Sequence, residues 1–369
     1  MISSADHASD AASQVRPIEC TLAHAAPTCP PDMRRLDPLL VPFWATTTMH
    51  RESAMLAGDD ERATATLLFR PDVIVAVTNA GTGTTYVEGV DYILARAERR
   101  IRRVPGSPMP WTDWPATASA DGALTHDRTV AISYTYAPDQ SLWRPPSQLH
   151  RIPAVAARLR EGRLVTVCLT GDSISEGYDS SGFHGRSPFQ PPYASLVNTA
   201  LQQLSGAPVR LHNLATAGWT TAEGMWDIDR ITAAESDLVI VAFGMNDASY
   251  ADGDEFAANV ALLLERVRAR RPSVEFLLVS PMLPTPQCAW VTATRFADYQ
   301  VRLRDLAGEG IAFVDVTRLW SQIVERKSPY DLSGNGLNHP NDFGHRLYAH
   351  AIVAALSSPG EIDAGNVES

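Results

Sequence analysis

From about residue 160 onward, apolar runs of strand length alternate with longer helical patterns, and this alternation constrains the fold most. Five apolar runs cover residues 164–169, 209–214, 237–243, 274–280 and 311–316. Helical patterns lie at 254–271 and 294–307, and a last one covers 343–356. Continuous apolar strands alternating with helices are typical of a parallel sheet covered on both faces. We therefore expect an α/β unit over residues 160–358.

The residues before this unit follow a different pattern, and 369 residues exceed the length of one typical domain. Short β-like runs lie at 63–69, 72–77, 84–94 and 129–136, with turn residues between them and no long helical pattern. This predicts a smaller all-β domain, a sandwich or jelly roll, over residues 36–150. Residues 1–35 lack periodicity and are predicted to be a flexible arm, and residues 359–369 a C-terminal tail.

The charge pattern argues against nucleic acid as a partner. The net charge is -11, and the only concentrated basic run is Arg99-Arg100-Ile101-Arg102-Arg103. A nucleic-acid interface needs a concentrated basic face. We interpret the short run as a solvated edge strand, where charge discourages aggregation.

No stretch approaches ~20 consecutive apolar residues, so we expect no membrane partner. The start of the chain lacks the pattern of a secretory leader, which predicts a cytoplasmic protein, or a secreted one if a leader has been removed. The four cysteines show neither metal-like nor redox-like spacing, so reduced thiols in a cytoplasmic protein are the simpler interpretation. A disulfide between Cys20 and Cys29 in an oxidising compartment is the alternative to free thiols.

Four short blocks follow the apolar runs or precede the last helix, where chemistry is concentrated in open α/β sheets. They are Gly171-Asp172-Ser173-Ile174-Ser175, Asn213-Leu214-Ala215-Thr216-Ala217-Gly218, Gly244-Met245-Asn246-Asp247 and Asn338-His339-Pro340. Each block alone also fits an ordinary turn or helix cap. Together they offer a serine nucleophile, oxyanion donors and a histidine base.

The residue types suit acyl transfer. A serine hydroxyl such as that of Ser173 needs a neighbouring base, and histidine, here His339, is the usual one near neutral pH. Attack on a carbonyl creates an oxyanion, which the backbone N–H of Gly218 and the side-chain amide of Asn246 can stabilise. His345 and His350, on the last helical pattern, are the competing histidines.

In their order and local settings, these four residues make residues 162–358 similar to the SGNH (GDSL) hydrolase superfamily. The resemblance implies a flavodoxin-like α/β/α sandwich and esterase chemistry, acetyl esters first, without metal or cofactor. It also implies an oxyanion hole formed by the amides of Ser173 and Gly218 and the side chain of Asn246. Members with a β-sandwich module often deacetylate carbohydrates, so we expect a small-molecule or oligosaccharide ester as substrate. Trp219 is a tentative substrate-binding residue.

The chain departs from the family pattern at Gly336, where an aspartate usually stands three residues before the histidine. A main-chain carbonyl could support His339 in a Ser–His dyad, or Asp331 or Asp342 could supply the carboxylate. The missing acid also motivates a non-catalytic carbohydrate-binding protein as an alternative. An acyltransferase would use the same site, and a flavodoxin-like nucleotide binder ranks last because no phosphate-binding glycine loop is present.

Further expectations concern the surroundings of the site. The glycine-rich segment 180–186 is predicted to form a mobile rim beside the nucleophile. Trp111, Trp114 and Trp143 lie near the domain junction and are expected to join the two domains, with sugar binding by their aromatic faces as the alternative. Whether the chain forms a homo-oligomer stays open, as does the task of the β domain.

Overall fold

The computed structural model describes residues 36–113, 125–137, 139, 141–358 and 360–362. The predicted arm, most of the predicted tail, Cys20, Cys29 and Trp114 lie outside the described residues. Among the helices that are described, none is both long and apolar enough to cross a bilayer.

The first part of the chain forms two three-stranded antiparallel sheets. The strands are β1 (Thr48–Ala54), β2 (Thr64–Thr66), β3 (Ile74–Asn79), β4 (Tyr92–Ala95), β5 (Arg100–Arg103) and β6 (Val130–Thr135). Their orders are β1-β6-β3 and β2-β5-β4. The prediction of a smaller all-β part is thereby confirmed. The domain limits of 36–150 and 160–358 stay predictions.

The interpretation of the basic run as an edge strand is wrong. The run forms β5, which is the middle strand of its sheet and pairs with a neighbour on each side. Arg103 is buried, and its Nε donates to the carbonyl of Met109 at 2.8 Å while its guanidinium pairs with Asp60. A buried arginine with partners on both sides explains why positive charge is tolerated in a central strand.

The second part is a five-stranded parallel sheet covered by helices, which confirms the predicted α/β fold. The strands are β7 (Val165–Gly171), β8 (Val209–Asn213), β9 (Leu238–Ala242), β10 (Glu275–Val279) and β11 (Ile311–Val314), in the order β11-β10-β9-β7-β8. Strands β7, β9 and β10 are buried along their whole length, as their largely apolar sequences predict.

The described residues include ten α-helices, of which the first precedes β7 and the others connect or follow the parallel strands. They are α1 (Pro153–Arg160), α2 (Ser173–Glu176), α3 (Tyr193–Ser205), α4 (Thr221–Gly224), α5 (Ile228–Ala233), α6 (Asp247–Tyr250), α7 (Gly253–Arg270), α8 (Arg295–Leu306), α9 (Val316–Val324) and α10 (Asp342–Ala355). Residues 343–355 of α10 are all buried, because the helix packs against α3 and also against β1 of the antiparallel region.

Polar groups join the two parts. The guanidinium of Arg346, on α10, donates to the carbonyls of His50 and Arg51 at the start of β1. Trp143, expected at this junction, lies with its ring 4.8 Å from the guanidinium carbon of Arg318, and its backbone N–H donates to the side-chain oxygen of Gln322 on α9 at 2.9 Å. The first part of the chain is therefore bonded directly to α9 and α10 of the second part.

Candidate active site

The candidate nucleophile stands at the carboxyl end of the central strand β7. Asp172 caps the short helix α2, its Oδ1 accepting the N–H of Ile174 at 3.0 Å, and Ser173 is the first helical residue. Burial raises the pKa of Asp172 to about 7, although backbone donors at Ile174 and Met245 act in the opposite direction. The cap fixes Ser173, which is 6% exposed, at the edge of the sheet where a ligand can reach it.

The structure brings Ser173 and His339 together. The Oγ of Ser173 lies 2.8 Å from Nε2 of His339, across 166 residues of sequence. This is the distance of a hydrogen bond between a nucleophile and its general base.

The two competing histidines serve the fold instead. Burial lowers the pKa of His345 to about 4 and that of His350 to about 3. Each donates through Nε2 to a main-chain carbonyl at 3.0 Å, His345 to Tyr178 and His350 to Leu39.

The loop that carries His339 is organised by Asn335, which sequence reasoning missed. Its Oδ1 accepts the N–H groups of Leu337, Asn338 and His339 at 2.9–3.2 Å. The next residue, Gly336, has φ of +73°, a left-handed conformation that disfavours side chains. The departure from the family pattern therefore coincides with a backbone that favours glycine.

The carboxylate beside His339 belongs to Asp179, a residue that sequence reasoning also missed. Asp179 Oδ2 lies 3.2 Å from His339 Nδ1, and the Asp179 side chain is only 3% exposed. A carboxylate in this place can hold the imidazole and stabilise its charged form. Asp179 stands six residues after Ser173 and one residue before the glycine-rich segment 180–186 that was predicted to form a rim, and that prediction did not include it.

Neither aspartate suggested by the sequence takes this place. Asp331 is fully buried, with Oδ1 accepting the N–H of Met55 at 2.6 Å and Oδ2 lying 3.7 Å from Nζ of Lys327. Burial raises the pKa of Asp331 to about 6. Asp342 accepts from the N–H and the hydroxyl of Ser181, both at 2.7 Å. Both carboxylates are thus occupied by structural partners.

Asp179 has a second imidazole on its other oxygen. His184 Nε2 lies 3.2 Å from Asp179 Oδ1. The backbone nitrogen of Asp179 also lies 3.3 Å from the same Nε2, so both the main chain and the side chain of Asp179 contact this ring. The ring of Tyr178 packs between these groups, with its centroid 5.3 Å from that of His339 and 6.3 Å from that of His184.

The candidate oxyanion donors lie on neighbouring loops. The N–H of Thr216 donates to the carbonyl of Gly171 at 3.0 Å, which holds the loop bearing Gly218 against the end of β7. Gly218 is exposed and has φ of +83°, and a Cβ built on it would meet no atom within 4 Å. Asn246 Nδ2 donates to the carbonyl of Trp219 at 2.9 Å.

The bond from Asn246 Nδ2 to the Trp219 carbonyl links the loop of Gly218 with the start of α6. It leaves the second N–H of the Asn246 amide for another acceptor. The Trp219 side chain is half-buried against the hydrophobic core. Its substrate-binding role stays a prediction.

Within the ranges described above, no group of three or more His, Cys, Asp or Glu side chains is arranged to hold a metal ion. The two described cysteines, Cys168 and Cys288, are buried free thiols. Burial raises their pKa to about 12 and about 11, which keeps them as thiols.

Residues 169–347 match the GDSL-like Lipase/Acylhydrolase family. This part of the chain is similar to that family. The matched range contains Ser173, Gly218, Asn246 and His339, so the family spans every residue of the candidate site.

Several solved structures resemble the chain at a distance. One is a two-domain esterase (CEX) active on acetylated mannans, with 24% identity and a TM-score of 0.46, covering 56% of this chain and 52% of that chain. Another is an acetylxylan esterase, Axe2, from Geobacillus stearothermophilus, with 19% identity and a TM-score of 0.44, covering 53% of this chain and 94% of that chain.

A third is the lipase Lip_vut3 from a goat rumen metagenome, with 15% identity and a TM-score of 0.43, covering 52% of this chain and 96% of that chain. This chain spans about half the length of the two-domain esterase. No curated protein sequence is significantly similar to the chain. The likeness to these enzymes is too distant to assign a substrate.

Proposed function

We propose that this protein is a serine esterase that hydrolyses short-chain acyl esters, acetyl esters first, carried on a carbohydrate. The observation that carries the proposal is the 2.8 Å contact between Ser173 Oγ and His339 Nε2, with Asp179 on the other ring nitrogen. Hydroxyl, imidazole and carboxylate in this order are the arrangement that activates a serine.

Acylation begins when Ser173 Oγ attacks the ester carbonyl. His339 Nε2 takes the hydroxyl proton, and the Nδ1–H of the resulting imidazolium donates to Asp179 Oδ2. This direction of transfer requires the resting tautomer of His339 with its proton on Nδ1. His339 then returns the proton to the departing alcohol, which leaves an acyl-serine. Water, deprotonated by His339, hydrolyses that intermediate and releases the acid.

The tetrahedral intermediates need donors for their oxyanion. We assign this role to the backbone amides of Ser173 and Gly218 and to the free N–H of Asn246. Each such donor typically contributes about 2.7–4 kcal/mol to lowering the barrier.

The position of the nucleophile favours a small acyl group. Only 6% of Ser173 is exposed, so the ester carbonyl must approach an oxygen that is nearly covered. An acetyl group meets this condition with the least displacement of the surrounding loops.

Aromatic side chains beside the site favour a sugar as the alcohol. The Phe183 ring is partly exposed and lies 4.9 Å from that of Tyr178, which packs on His339. On the side of Asn246, Tyr250 is 79% exposed at the end of α6. Such faces stack on sugar rings, because an aromatic ring offers a flat apolar surface with its polar tip in water.

The test is acetate release from a panel of acetylated oligosaccharides, with acetyl and octanoyl p-nitrophenyl esters as reference substrates. We expect kcat/KM to be higher for the acetyl than for the octanoyl ester, and Ser173→Ala to remove both activities. Phe183→Ala and Tyr250→Ala are expected to raise KM for the oligosaccharides while leaving the p-nitrophenyl acetate rate unchanged. Acetate release that survives Ser173→Ala contradicts the mechanism, and a preference for octanoyl contradicts the substrate.

The non-catalytic alternative rested on the absence of an acid at Gly336. Because Asp179 supplies a carboxylate to His339, that motive no longer holds. An acyltransferase would share every step up to the acyl-serine. Products analysed with and without a sugar acceptor separate it from a hydrolase.

A further inference from the structure

A short segment of the antiparallel region reaches both loops of the candidate site. This segment, Thr125–Arg128, is a single turn of 3-10 helix just before β6. Its first two residues contact the loop of His339 on one side and an anchor of the rim loop on the other. No step of the esterase mechanism uses these residues.

Thr125 bonds twice to the histidine loop. Its N–H donates to the carbonyl of Gly334 at 2.9 Å, and its hydroxyl donates to the carbonyl of Ser333 at 3.0 Å. The same two residues, Ser333 and Gly334, also bond to the main chain of His339. The N–H of Gly334 and the hydroxyl of Ser333 both donate to the His339 carbonyl, at 2.9 and 3.1 Å.

His126 acts on the rim loop through Asp342. Its side chain is 5% exposed, and its Nε2 lies 3.4 Å from Asp342 Oδ2, at ion-pair distance. The Asp342 carboxylate in turn accepts both polar groups of Ser181, two residues after Asp179. Burial alone would raise the pKa of Asp342, but His126 and Ser181 outweigh it and hold that pKa below its usual value.

The two loops meet where Gly334 packs against Asp179. A Cβ placed on Gly334 would lie 2.4 Å from the Cβ of Asp179, so the loops are in close backbone contact. A displacement of either loop therefore changes the distance between Asp179 Oδ2 and His339 Nδ1, now 3.2 Å.

We propose that Thr125 and His126 are positioning residues, through which the antiparallel region holds the Asp179–His339 contact at its working distance. The inference rests on the proposed function, since it assigns these residues to that same site. The inference also assigns a role to the antiparallel region, because this region holds one side of the loop that carries His339. Neither residue touches Ser173 or the oxyanion donors, so both act on the rate of acyl transfer more than on substrate binding.

The experiment compares Thr125→Val, His126→Phe and His126→Gln with the wild-type chain. Thr125→Val removes one hydroxyl donor and keeps the backbone N–H. His126→Phe removes the group that faces Asp342, whereas His126→Gln restores an N–H donor there. Thr84→Val and His150→Phe are matched controls, because both residues are exposed and neither contacts the two loops.

Two readouts are taken. The first is kcat and KM on p-nitrophenyl acetate, with kcat expressed per site titrated by a fluorophosphonate, so that unfolded protein does not count. The second is the downfield proton resonance of the Asp179–His339 hydrogen bond, assigned by its loss in Asp179→Asn.

We expect His126→Phe to lower kcat about tenfold to a hundredfold with KM within about twofold, since a displacement of ~1 Å costs about a hundredfold. Thr125→Val should lower kcat about threefold to tenfold, and His126→Gln should recover most of the loss. The downfield resonance should weaken in the two damaging variants and persist in His126→Gln and in the controls.

Wild-type kcat per titrated site in both His126→Phe and Thr125→Val would overturn the proposal. So would a His126→Gln variant as impaired as His126→Phe, or a wild-type protein without the downfield resonance. If the wild type neither hydrolyses esters nor reacts with the probe, the proposed function fails. The resonance then still decides whether these residues hold the contact.

Discussion

The placement of Asp179 leads to the sharpest prediction, which concerns Asp179→Asn. The amide has nearly the shape of the carboxylate, so the substitution removes the negative charge with little change in packing. It also leaves His184 Nε2 with an amide oxygen or amide nitrogen as its neighbour instead of a carboxylate. The variant therefore tests the effect of the Asp179 charge on His339, and not the effect of side-chain size.

The size of the effect follows from the distance. When His339 takes the proton of Ser173, its positive charge lies 3.2 Å from Asp179 Oδ2. At an effective dielectric constant of about 20, a pair at that distance interacts by about 5 kcal/mol. The side chains are 15% and 3% exposed, so solvent screening reduces this only in part. Since each 1.36 kcal/mol is a factor of ten in rate, we expect kcat to fall by about 10³ to 10⁴.

The assay is steady-state hydrolysis of p-nitrophenyl acetate by Asp179→Asn, with folding checked by circular dichroism and thermal unfolding. Asp331→Asn is the matched control, because it removes a buried carboxylate that contacts Met55 and Lys327 instead of His339. We expect it to lower stability and to keep kcat of the folded enzyme within about threefold. A folded Asp179→Asn with nearly wild-type kcat would refute the assignment, and a large loss of kcat in Asp331→Asn would transfer the role to that residue.

Two further predictions concern stability. Lys327, fully buried, donates to Glu52 and lies 3.7 Å from Asp331, so Lys327→Met leaves two buried carboxylates without their cation. We expect its free energy of unfolding in urea to fall by about 3–5 kcal/mol, and a loss below about 1 kcal/mol contradicts this account of the pair. Burial lowers the pKa of His350 to about 3 in the folded chain, from 6.5. Between these pH values His350 is protonated in the unfolded chain and neutral in the folded chain. The contribution of the neutral His350 side chain to the free energy of unfolding is therefore fully present above pH 6.5 and is lost as the pH falls toward 3. His350→Leu should make the decline in unfolding free energy between pH 6 and 4 shallower by up to about 1.4 kcal/mol per pH unit, and an unchanged slope would show that His350 titrates normally.

The parallel sheet was predictable because its strands are buried on both faces. Each strand can therefore be recognised from its own apolar sequence, without knowledge of the strands it pairs with. Val165–Gly171 and Leu238–Ala242 contain long apolar stretches, and the structure buries both completely. The antiparallel region was harder. Strand β1 (Thr48–Ala54) went unpredicted because its sequence contains His50, Arg51 and Glu52. Glu52 can be buried there because Lys327, 275 residues later, neutralises it, and the N–H of Leu68 and the hydroxyl of Tyr134 also donate to its carboxylate.

One part of the candidate site was likewise predictable from the sequence, and another part was not. Ser173 and His339 were predictable because each lies in a short block next to a strand end or helix start. Asp179 was not, since its place depends on how the loop after α2 folds back against Gly334. The spacing of residues along a chain carries no such information when two loops meet from different parts of the fold. The usual position of the acid, Gly336, then suggested a dyad where the structure has a carboxylate.

The measurement that tests the central claim most directly is the rate at which a fluorophosphonate probe labels the protein, with the labelled residue identified by mass spectrometry. An activated hydroxyl hydrogen-bonded to a base predicts stoichiometric labelling at Ser173 in the wild type. His339→Ala should slow that labelling by about 10² to 10⁴, which is the range of general-base assistance. A wild-type protein that stays unlabelled, or a rate that His339→Ala leaves unchanged, would contradict the account.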